Sequence, residues 1–179
     1  MATFALDPNH SSVEFTARHM VFSRVRGSFT KFTLDLDLDD TTNLPTAAAA
    51  TIEAASIDTN VADRDAHLRS ADFLDVEKFP TIAFLSTKIS GKPNAFTIDG
   101  TLTLHGITRP VTLRAVVDGR GKDPWGNDRI AFSASTTINR KDYGLTWNQA
   151  LETGGVLVGD ELEIALTIQA VNAQQPAAV

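Results

Sequence analysis

Apolar and polar residues alternate along most of this chain, and this period of two restricts the fold more than any other feature of the sequence. The stretch FTLDLDLD at 32–39 places apolar side chains at even positions and polar ones at odd positions. Such alternation is typical of a β-strand with one apolar face. We predict about eight strands, in the segments around 13–17, 32–38, 48–58, 82–86, 96–104, 111–117, 130–138 and 162–168.

Short turn sequences separate many of these segments and favour antiparallel neighbours. They include SGKPNA at 90–95, HGITRP at 105–110 and VGDE at 158–161, which carry typical turn residues. A sheet with one apolar face hides that face by closing on itself or by packing on a second sheet. Closure predicts an all-β fold, an eight-stranded antiparallel β-barrel. Its interior could be filled by side chains or hold one small ligand, and periodicity does not decide between them.

Two segments break the alternation and are predicted to form short helices. They are RHMVFSRV at 18–25 and NVADRDAHLRSADF at 60–73. In the second, Asn60 is expected to cap a helix that begins at Val61. Residues 1–171 are expected to be one domain, because this length suits a single core. The polar, proline-containing end at 172–179 is expected to be a flexible tail.

The composition excludes several classes of function. The net charge is −6 and the pI is about 5.1, which argues against nucleic-acid binding, because that draws its affinity from clustered Lys and Arg. No segment reaches the roughly 18 apolar residues of a membrane span. The N-terminal sequence MATFALDPNHSSVEF has no basic stretch followed by an apolar run, so we expect no signal peptide and a cytoplasmic location.

Motifs for metal, cofactor or covalent chemistry are missing from the sequence. There is no cysteine, and no two of the four histidines have the spacing of zinc ligands. The sequence has no G-x-S-x-G motif, and Gly119 and Gly121 lack the third glycine of a phosphate-binding loop. We therefore expect no metal, no cofactor and no catalytic residue.

Five strings occur in one order along the chain: DPNHSSVEF, VRGSF, RDAHLRSADFLDVEKFPTIAF, LTLHGITRPV and INRKDYGL. Together they resemble the YceI-like family, a lipocalin-like group described as polyisoprenoid-binding, from about Ala5 to Ala170. The resemblance implies an extended eight-stranded barrel, often dimeric, that encloses an isoprenoid or other long-chain lipid without catalysis. Many members of that family are exported to the periplasm, whereas this sequence shows no export signal.

The candidate ligand-binding residues comprise an apolar lining and a polar group. Phe supplies 10 of the 13 aromatic residues, so most of the aromatic surface has no polar atom. The predicted lining comprises Phe15, Phe32, Leu36, Ile52, Phe84, Ile98, Leu102, Leu104, Leu113, Phe132 and Leu166, with Met20, Phe22 and Leu68 from the two predicted helices.

The candidate polar contacts to a ligand headgroup are Arg18, His19, Asp65 and His67, because apolar pockets use a few polar groups for orientation. Arg64, Asp65 and His67 also have a structural interpretation. In it, the Arg and Asp hold the helix to the barrel through a charge-assisted pair, with the His packed beside them.

Three functions remain open from the sequence. The leading hypothesis is non-enzymatic binding, storage or transport of a long isoprenoid, quinone tail or fatty-acid derivative. The second is a cavity enzyme that modifies a lipid, with His19 or His67 as the proton carrier. The third is a solid-core dimer that acts through its surface as a stress or interaction protein.

Overall fold

A computed structural model describes residues 2–173, which form eleven β-strands and one α-helix. The strands are β1 Ala2–Leu6, β2 Ser12–His19, β3 Ser23–Phe29, β4 Phe32–Asp39, β5 Leu44–Glu53, β6 Ile57–Asp58, β7 Thr81–Lys92, β8 Ala95–Leu104, β9 Ile107–Lys122, β10 Asp128–Asn139 and β11 Val158–Asn172. The helix α1, Ala62–Arg69, lies between β6 and β7. Short 3-10 helices form at Pro8–His10, Ala54–Ser56 and Arg140–Tyr143.

Eight of these strands close into a barrel, because β1 pairs with a different strand on each side. Phe4 of β1 lies opposite Leu36 of β4 and opposite Asn172 of β11. The ring runs β1-β4-β5-β7-β8-β9-β10-β11 and returns to β1, and every pairing in it is antiparallel. The predicted eight-stranded antiparallel β-barrel is confirmed.

Strands β2, β3 and β6 extend the sheet beyond this ring. The end of β11 pairs with β1, and the part of β11 between Val158 and Thr167 pairs with β2. The chain turns between β1 and β2 at Pro8, whose fixed φ and missing N–H suit the start of a helical turn. Asp7 caps that turn by accepting the N–H of Asn9 at 3.1 Å. As a result, β1 and β2 lie one after the other along the same edge of β11.

Apolar residues pack at both ends of the barrel interior and close only one of them. On β4, Leu36 and Leu38 are buried, whereas Asp35 and Asp37 alternate with them on the outer face. A buried cluster closes one end and includes Phe4, Leu38, Ile130 and Ala170. A second cluster surrounds the other end and includes Ile57, Leu74, Leu104, Ile138, Tyr143 and Leu145. The two ends are called here the closed end and the mouth.

The helix predicted at 18–25 is wrong, because these residues form the β2–β3 hairpin. Ala17 pairs with Val25 and His19 pairs with Ser23, so the turn consists of residues 20–22. Met20 and Val21 adopt positive φ angles of 54° and 69°. The second edge of β2 pairs with β11, and this tertiary pairing outweighs the local sequence pattern.

The helix predicted within 60–73 is confirmed as α1, but Asn60 does not cap it. Val61 occupies the N-cap position without a side-chain hydrogen bond. Asn60 has a φ of 63°, and its N–H donates to the carboxylate of Asp58 at 2.8 Å. Asn60 therefore shapes the turn that leads into the helix.

The structure describes only the first two residues of the predicted tail at 172–179. Asn172, assigned to the predicted flexible tail at 172–179, is the last residue of β11, and the N–H of Ala173 donates to Thr3 at 2.9 Å. Positions 174–179 lie outside the described residues. Within the part of the chain that the structure describes, no helix has the length and apolar character needed to cross a membrane.

Candidate ligand-binding cavity

The barrel encloses a cavity of about 550 Å³ between the closed end and the mouth. Its walls are almost wholly apolar and come from the inward positions of the strands. Small side chains contribute to this space, since Ala48, Ala50, Ala115 and Ala134 all line it. The volume lies within the range of roughly 300–1,000 Å³ typical of small-molecule pockets. The barrel interior is therefore hollow rather than filled by its own side chains.

Fifteen of the eighteen residues proposed from the sequence as ligand contacts line this cavity. They are Phe15, Arg18, His19, Phe32, Leu36, Ile52, His67, Leu68, Phe84, Ile98, Leu102, Leu104, Leu113, Phe132 and Leu166. Most of them share one space because strand alternation points them inward, whereas His67 and Leu68 reach it from α1 and Arg18 lies beside His19 at the end of β2. Their contact with a ligand stays a prediction.

Three proposed contacts, Met20, Phe22 and Asp65, do not line the cavity. Met20 and Phe22 lie in the β2–β3 turn and are 38% and 82% exposed, because the segment is a hairpin and not a helix that covers the barrel. Asp65 is buried, and its Oδ1 accepts from the N–H of Thr59 at 2.9 Å and from the hydroxyl of Thr59 at 2.5 Å. These bonds hold its carboxylate between α1 and the segment before it.

Arg64 and Asp65 both attach α1 to Thr59 at the end of β6. Arg64 Nε donates to the Thr59 hydroxyl at 2.8 Å, and Arg64 Nη2 donates to the Thr59 carbonyl at 2.9 Å. The structural interpretation of these residues therefore holds in a modified form, because they bond to Thr59 and not to each other. Arg64 also lines the cavity.

Three aromatic rings pack together at the mouth. The ring centroid of His67 on α1 lies 4.7 Å from that of Trp147 and 5.0 Å from that of Phe73, in edge-to-face geometry. The ring centroids of Trp147 and Phe73 are 5.2 Å apart. His67 Nε2 is 2.8 Å from a carboxylate oxygen of Asp72. All three rings line the cavity, so this aromatic cluster narrows its opening beside α1.

A buried arginine, Arg140, was missed by the sequence reasoning. Its side chain lines the cavity beside the mouth and is only 2% exposed. Every second residue of β10 from Phe132 to Ile138 lines the cavity, and Arg140 follows at the same spacing. The alternation therefore indicates its inward position, after the inward residues Phe132, Ala134, Thr136 and Ile138.

The hydrogen bonds described for the Arg140 guanidinium all go to backbone carbonyls. Nε donates to Gly159 at 2.8 Å, and Nη1 donates to Leu145 at 2.6 Å and to Trp147 at 2.9 Å. Nη2 makes a longer contact of 3.4 Å with Val158. Burial lowers the pKa of Arg140, and Asp160 opposes that shift. Arg140 thereby holds the segment after β10 against the start of β11 and leaves a positive charge at the cavity wall.

The described residues contain no cluster of metal-ligating side chains: residues 2–173 have no group of three His, Asp or Glu residues able to hold a metal ion. Around the His67 ring, the described contacts are with Asp72, Phe73 and Trp147. No serine or threonine hydroxyl of residues 2–173 has a described hydrogen bond to the His19 or His67 ring. A nucleophile paired with an imidazole base, the usual arrangement for covalent catalysis, is therefore not found there.

Solved structures share this barrel. The Campylobacter jejuni YceI protein aligns with a TM-score of 0.78 and 26% identity, covering 88% of this chain and 90% of that one. BcnA of Burkholderia cenocepacia aligns with a TM-score of 0.79 and 23% identity, covering 92% of this chain and 98% of that one. A polyisoprenoid binding domain from Saccharophagus degradans aligns with a TM-score of 0.67 and 13% identity, covering 96% of this chain and 99% of that domain. At 23% and 13% identity, the alignments with BcnA and with the polyisoprenoid binding domain show similarity of fold alone.

Relatives identified by their sequences share more residues with this chain than these solved structures do. A UPF0312 protein of Yersinia enterocolitica is 36% identical over 165 residues, which is 92% of this chain and 83% of the relative. A UPF0312 protein of Pseudomonas aeruginosa is 37% identical over 162 residues, which is 90% of this chain and 82% of the relative. The family model of the YceI-like domain matches residues 4–170. This chain belongs to the YceI-like family.

Proposed function

We propose that this protein binds a long apolar isoprenoid or other lipid in its barrel cavity and stores or transports it without catalysing a reaction. The observation that carries the proposal is the cavity of about 550 Å³, closed by packed side chains at one end and lined almost entirely by apolar groups. A polyisoprenoid tail or acyl chain is the kind of ligand that such a wall favours. The polyisoprenoid-binding domain with the same fold supports this class.

The binding free energy would come chiefly from the tail. Each methylene transferred from water to an apolar site contributes roughly 0.8 kcal/mol. Because the interior offers few polar partners, a polar group placed deep in it would lose its hydrogen bonds with water without replacement. The tail therefore enters first, towards the closed end.

The polar side chains near the mouth are suited to contact the headgroup. Arg18, His19, His67 and Arg140 line that part of the cavity, together with the carboxylate-bearing Asp63. Polar groups that converge at one place in an apolar pocket fix the orientation of a ligand. We propose that these residues hold the headgroup where the cavity meets solvent.

Native mass spectrometry of the full-length protein, purified without added lipid, tests the proposal. We expect a species heavier than the free chain by the mass of a prenyl or acyl compound, and the same compound in an organic extract. Repeated absence of such a species, together with failure to bind an added fluorescent fatty acid or prenol, would contradict it.

The non-enzymatic part needs a separate measurement. The extracted compound is returned to ligand-free protein, and its mass and chemical structure are compared before and after prolonged incubation. We expect no change, because the His67 ring is packed against Phe73 and Trp147 and bonded to Asp72. Turnover that disappears in His19→Ala or His67→Ala would instead support a lipid-modifying enzyme.

Two further properties inferred from the sequence and the family stay predictions, namely a cytoplasmic location and a homodimer. Fractionation of cells that produce the full-length protein tests the first, and sedimentation velocity of the purified protein tests the second.

A further inference from the structure

The tip of the β2–β3 hairpin exposes three consecutive apolar side chains beside the mouth. Met20, Val21 and Phe22 are 38%, 57% and 82% exposed. The tip lies at the mouth because His19, which precedes it, lines the cavity. Its position is fixed by the N–H of Met20, which donates at 2.8 Å to the carbonyl of Leu157, another lining residue.

The backbone of this tip is strained. Met20 and Val21 both have positive φ angles, 54° and 69°, a region that β-branched and bulky residues rarely adopt. Glycine or asparagine would occupy such a turn more easily and would expose less apolar surface. Strained backbone is concentrated at functional sites. The conformation and the residue types together indicate that the exposed side chains contact something outside the barrel.

The outer face of the same hairpin carries three arginines towards its tip, with Glu14 further along β2 and Glu163 on the neighbouring strand β11. Arg18 lies directly opposite Arg24, and Arg26 follows on the same face opposite Thr16. Like charges directly opposite each other destabilise a strand pair, and the chain as a whole carries a net charge of −6. The only ion pair described for these three arginines is a distant one, 3.9 Å between Arg24 and Glu163. An anionic partner would relieve this repulsion.

We propose that the tip residues 20–22 and the basic face of Arg18, Arg24 and Arg26 dock the mouth of the barrel onto an anionic lipid bilayer. Apolar side chains next to basic ones are the pattern of surface-bound membrane segments, with the apolar groups at the acyl boundary and the arginines at the phosphates. The inference rests on the proposed function in one respect, since a lipid carrier must exchange its ligand with a membrane. Docking itself is measured without ligand.

Co-sedimentation of the full-length protein with vesicles tests docking. Vesicles of phosphatidylcholine alone are compared with vesicles that also contain phosphatidylglycerol. The apolar test variant is Met20→Ser with Phe22→Ser. Its control is Trp125→Ser, an exposed aromatic residue near the closed end. The charge variant is Arg24→Ser with Arg26→Ser, two exposed arginines that do not line the cavity, and its control is Lys92→Ser with Lys122→Ser, two exposed cations near that same end.

We expect the wild-type protein and both controls to bind vesicles that contain phosphatidylglycerol, and added salt to weaken binding. Each basic residue at an anionic surface strengthens binding roughly fivefold, so the charge variant should bind roughly 25-fold more weakly. The apolar variant should bind at least about tenfold more weakly, because a buried Phe side chain contributes at least that factor. Circular dichroism checks that all variants are folded.

Wild-type protein that does not sediment with anionic vesicles would overturn the inference, and so would controls that lose binding as much as the test variants. A hairpin variant that only converts a dimer to a monomer, with no wild-type vesicle binding, would assign the tip to a subunit contact and overturn it as well. If lipid is found by native mass spectrometry but vesicles are not bound, docking fails while the proposed function stands. If the protein binds vesicles but native mass spectrometry never finds lipid in it, the proposed function fails while docking stands.

Discussion

The guanidinium of Arg140 donates from Nη1 to the backbone carbonyl of Trp147 at 2.9 Å, and the Trp147 ring packs 4.7 Å from the ring of His67. The end of β10 is thereby connected to α1 across the mouth. The same guanidinium bonds to Leu145 and Gly159. One buried cation thus organises the segment between β10 and β11 and places an aromatic ring over the opening.

Replacement of Arg140 by Met is expected to destabilise the protein by about 3 kcal/mol or more, because one buried and two partly buried carbonyls lose a charged donor. Urea denaturation measures the free energy of unfolding. Arg114→Met, at an exposed position on β9, is the matched control and should change it by roughly 0.5 kcal/mol or less. Equal losses in the two variants would show that the carbonyl contacts contribute little.

Removal of the Trp147 side chain is expected to widen the mouth and accelerate ligand release. Trp147→Ala loses the contacts with the rings of His67 and Phe73, each of which contributes roughly 0.5–1.5 kcal/mol beyond its buried area. Because these contacts must open for the ligand to leave, the dissociation rate of a fluorescent fatty acid should rise by about fivefold or more. Stopped-flow transfer of the probe to acceptor vesicles measures this rate. Trp125→Ala, near the closed end, should leave the rate as in the wild type. An unchanged rate in Trp147→Ala would mean that release does not pass this ring.

Replacement of Asp65 by Ala tests whether this residue has a structural role or contacts the ligand. Its carboxylate accepts two bonds from Thr59, so Asp65→Ala should lower the free energy of unfolding by about 2–3 kcal/mol. Lipid binding per folded molecule should stay close to wild type, as judged by titration with the fluorescent fatty acid. Asp63→Ala, on the same helix, should affect stability much less. A large loss of affinity with unchanged stability would restore Asp65 as a ligand contact.

The closed end contains a pH-dependent cluster around Arg129. Arg129 Nη1 lies 2.6 Å from Asp7, and its Nε lies 2.7 Å from Asp123. Burial acts to raise the pKa of Asp7, but hydrogen bonds from Arg129 and His10 outweigh it and hold this pKa below its usual value. Burial likewise acts to raise the pKa of Asp123, and bonds from Arg129 and Asn127 hold that pKa well below the usual range.

Both carboxylates therefore bind protons less readily in the folded state than in the unfolded state. Their contribution to stability is fully present above the usual aspartate pKa of about 3.9 and is lost as the pH falls through the lower folded values. Arg129→Met should be less stable than the wild type at pH 7, and the difference should shrink as the pH falls below about 4. Urea midpoints across that range measure it. A difference that is constant with pH would exclude this coupling.

Much of the barrel could be predicted because a strand has a fixed period. Alternation placed Phe132 and Leu166 on the cavity side, and the structure puts them opposite positions of similar character on neighbouring strands. The same rule, extended beyond Ile138, would have found Arg140. The position of α1 was also predictable, because RDAHLRSADF breaks the alternation.

Other features depend on tertiary contacts that leave no local signal. The turn at Met20 and Val21 lacks the Gly or Asn that usually marks positive φ, so the sequence predicts a short helix at 18–25 in place of the β2–β3 hairpin. The sequence predicts a headgroup contact for Asp65, because it does not show that the carboxylate faces Thr59. Whether the interior is hollow depends on barrel curvature and on the sizes of all inward side chains together, which periodicity does not report.

The most direct test of a lipid held inside the barrel compares two variants in which phenylalanine replaces an alanine, one on β10 and one on the adjacent strand β11. Ala134→Phe adds a ring inside the cavity, whereas Ala165→Phe adds the same ring on the exposed outer face of β11. Binding of a fluorescent fatty acid is titrated for both variants, with folding checked by circular dichroism. We expect Ala134→Phe to lose affinity by tenfold or more, since the ring occupies space that several methylenes would fill, and Ala165→Phe to bind as the wild type does. Equal affinity in the two variants would place the lipid outside the barrel and contradict the proposed function.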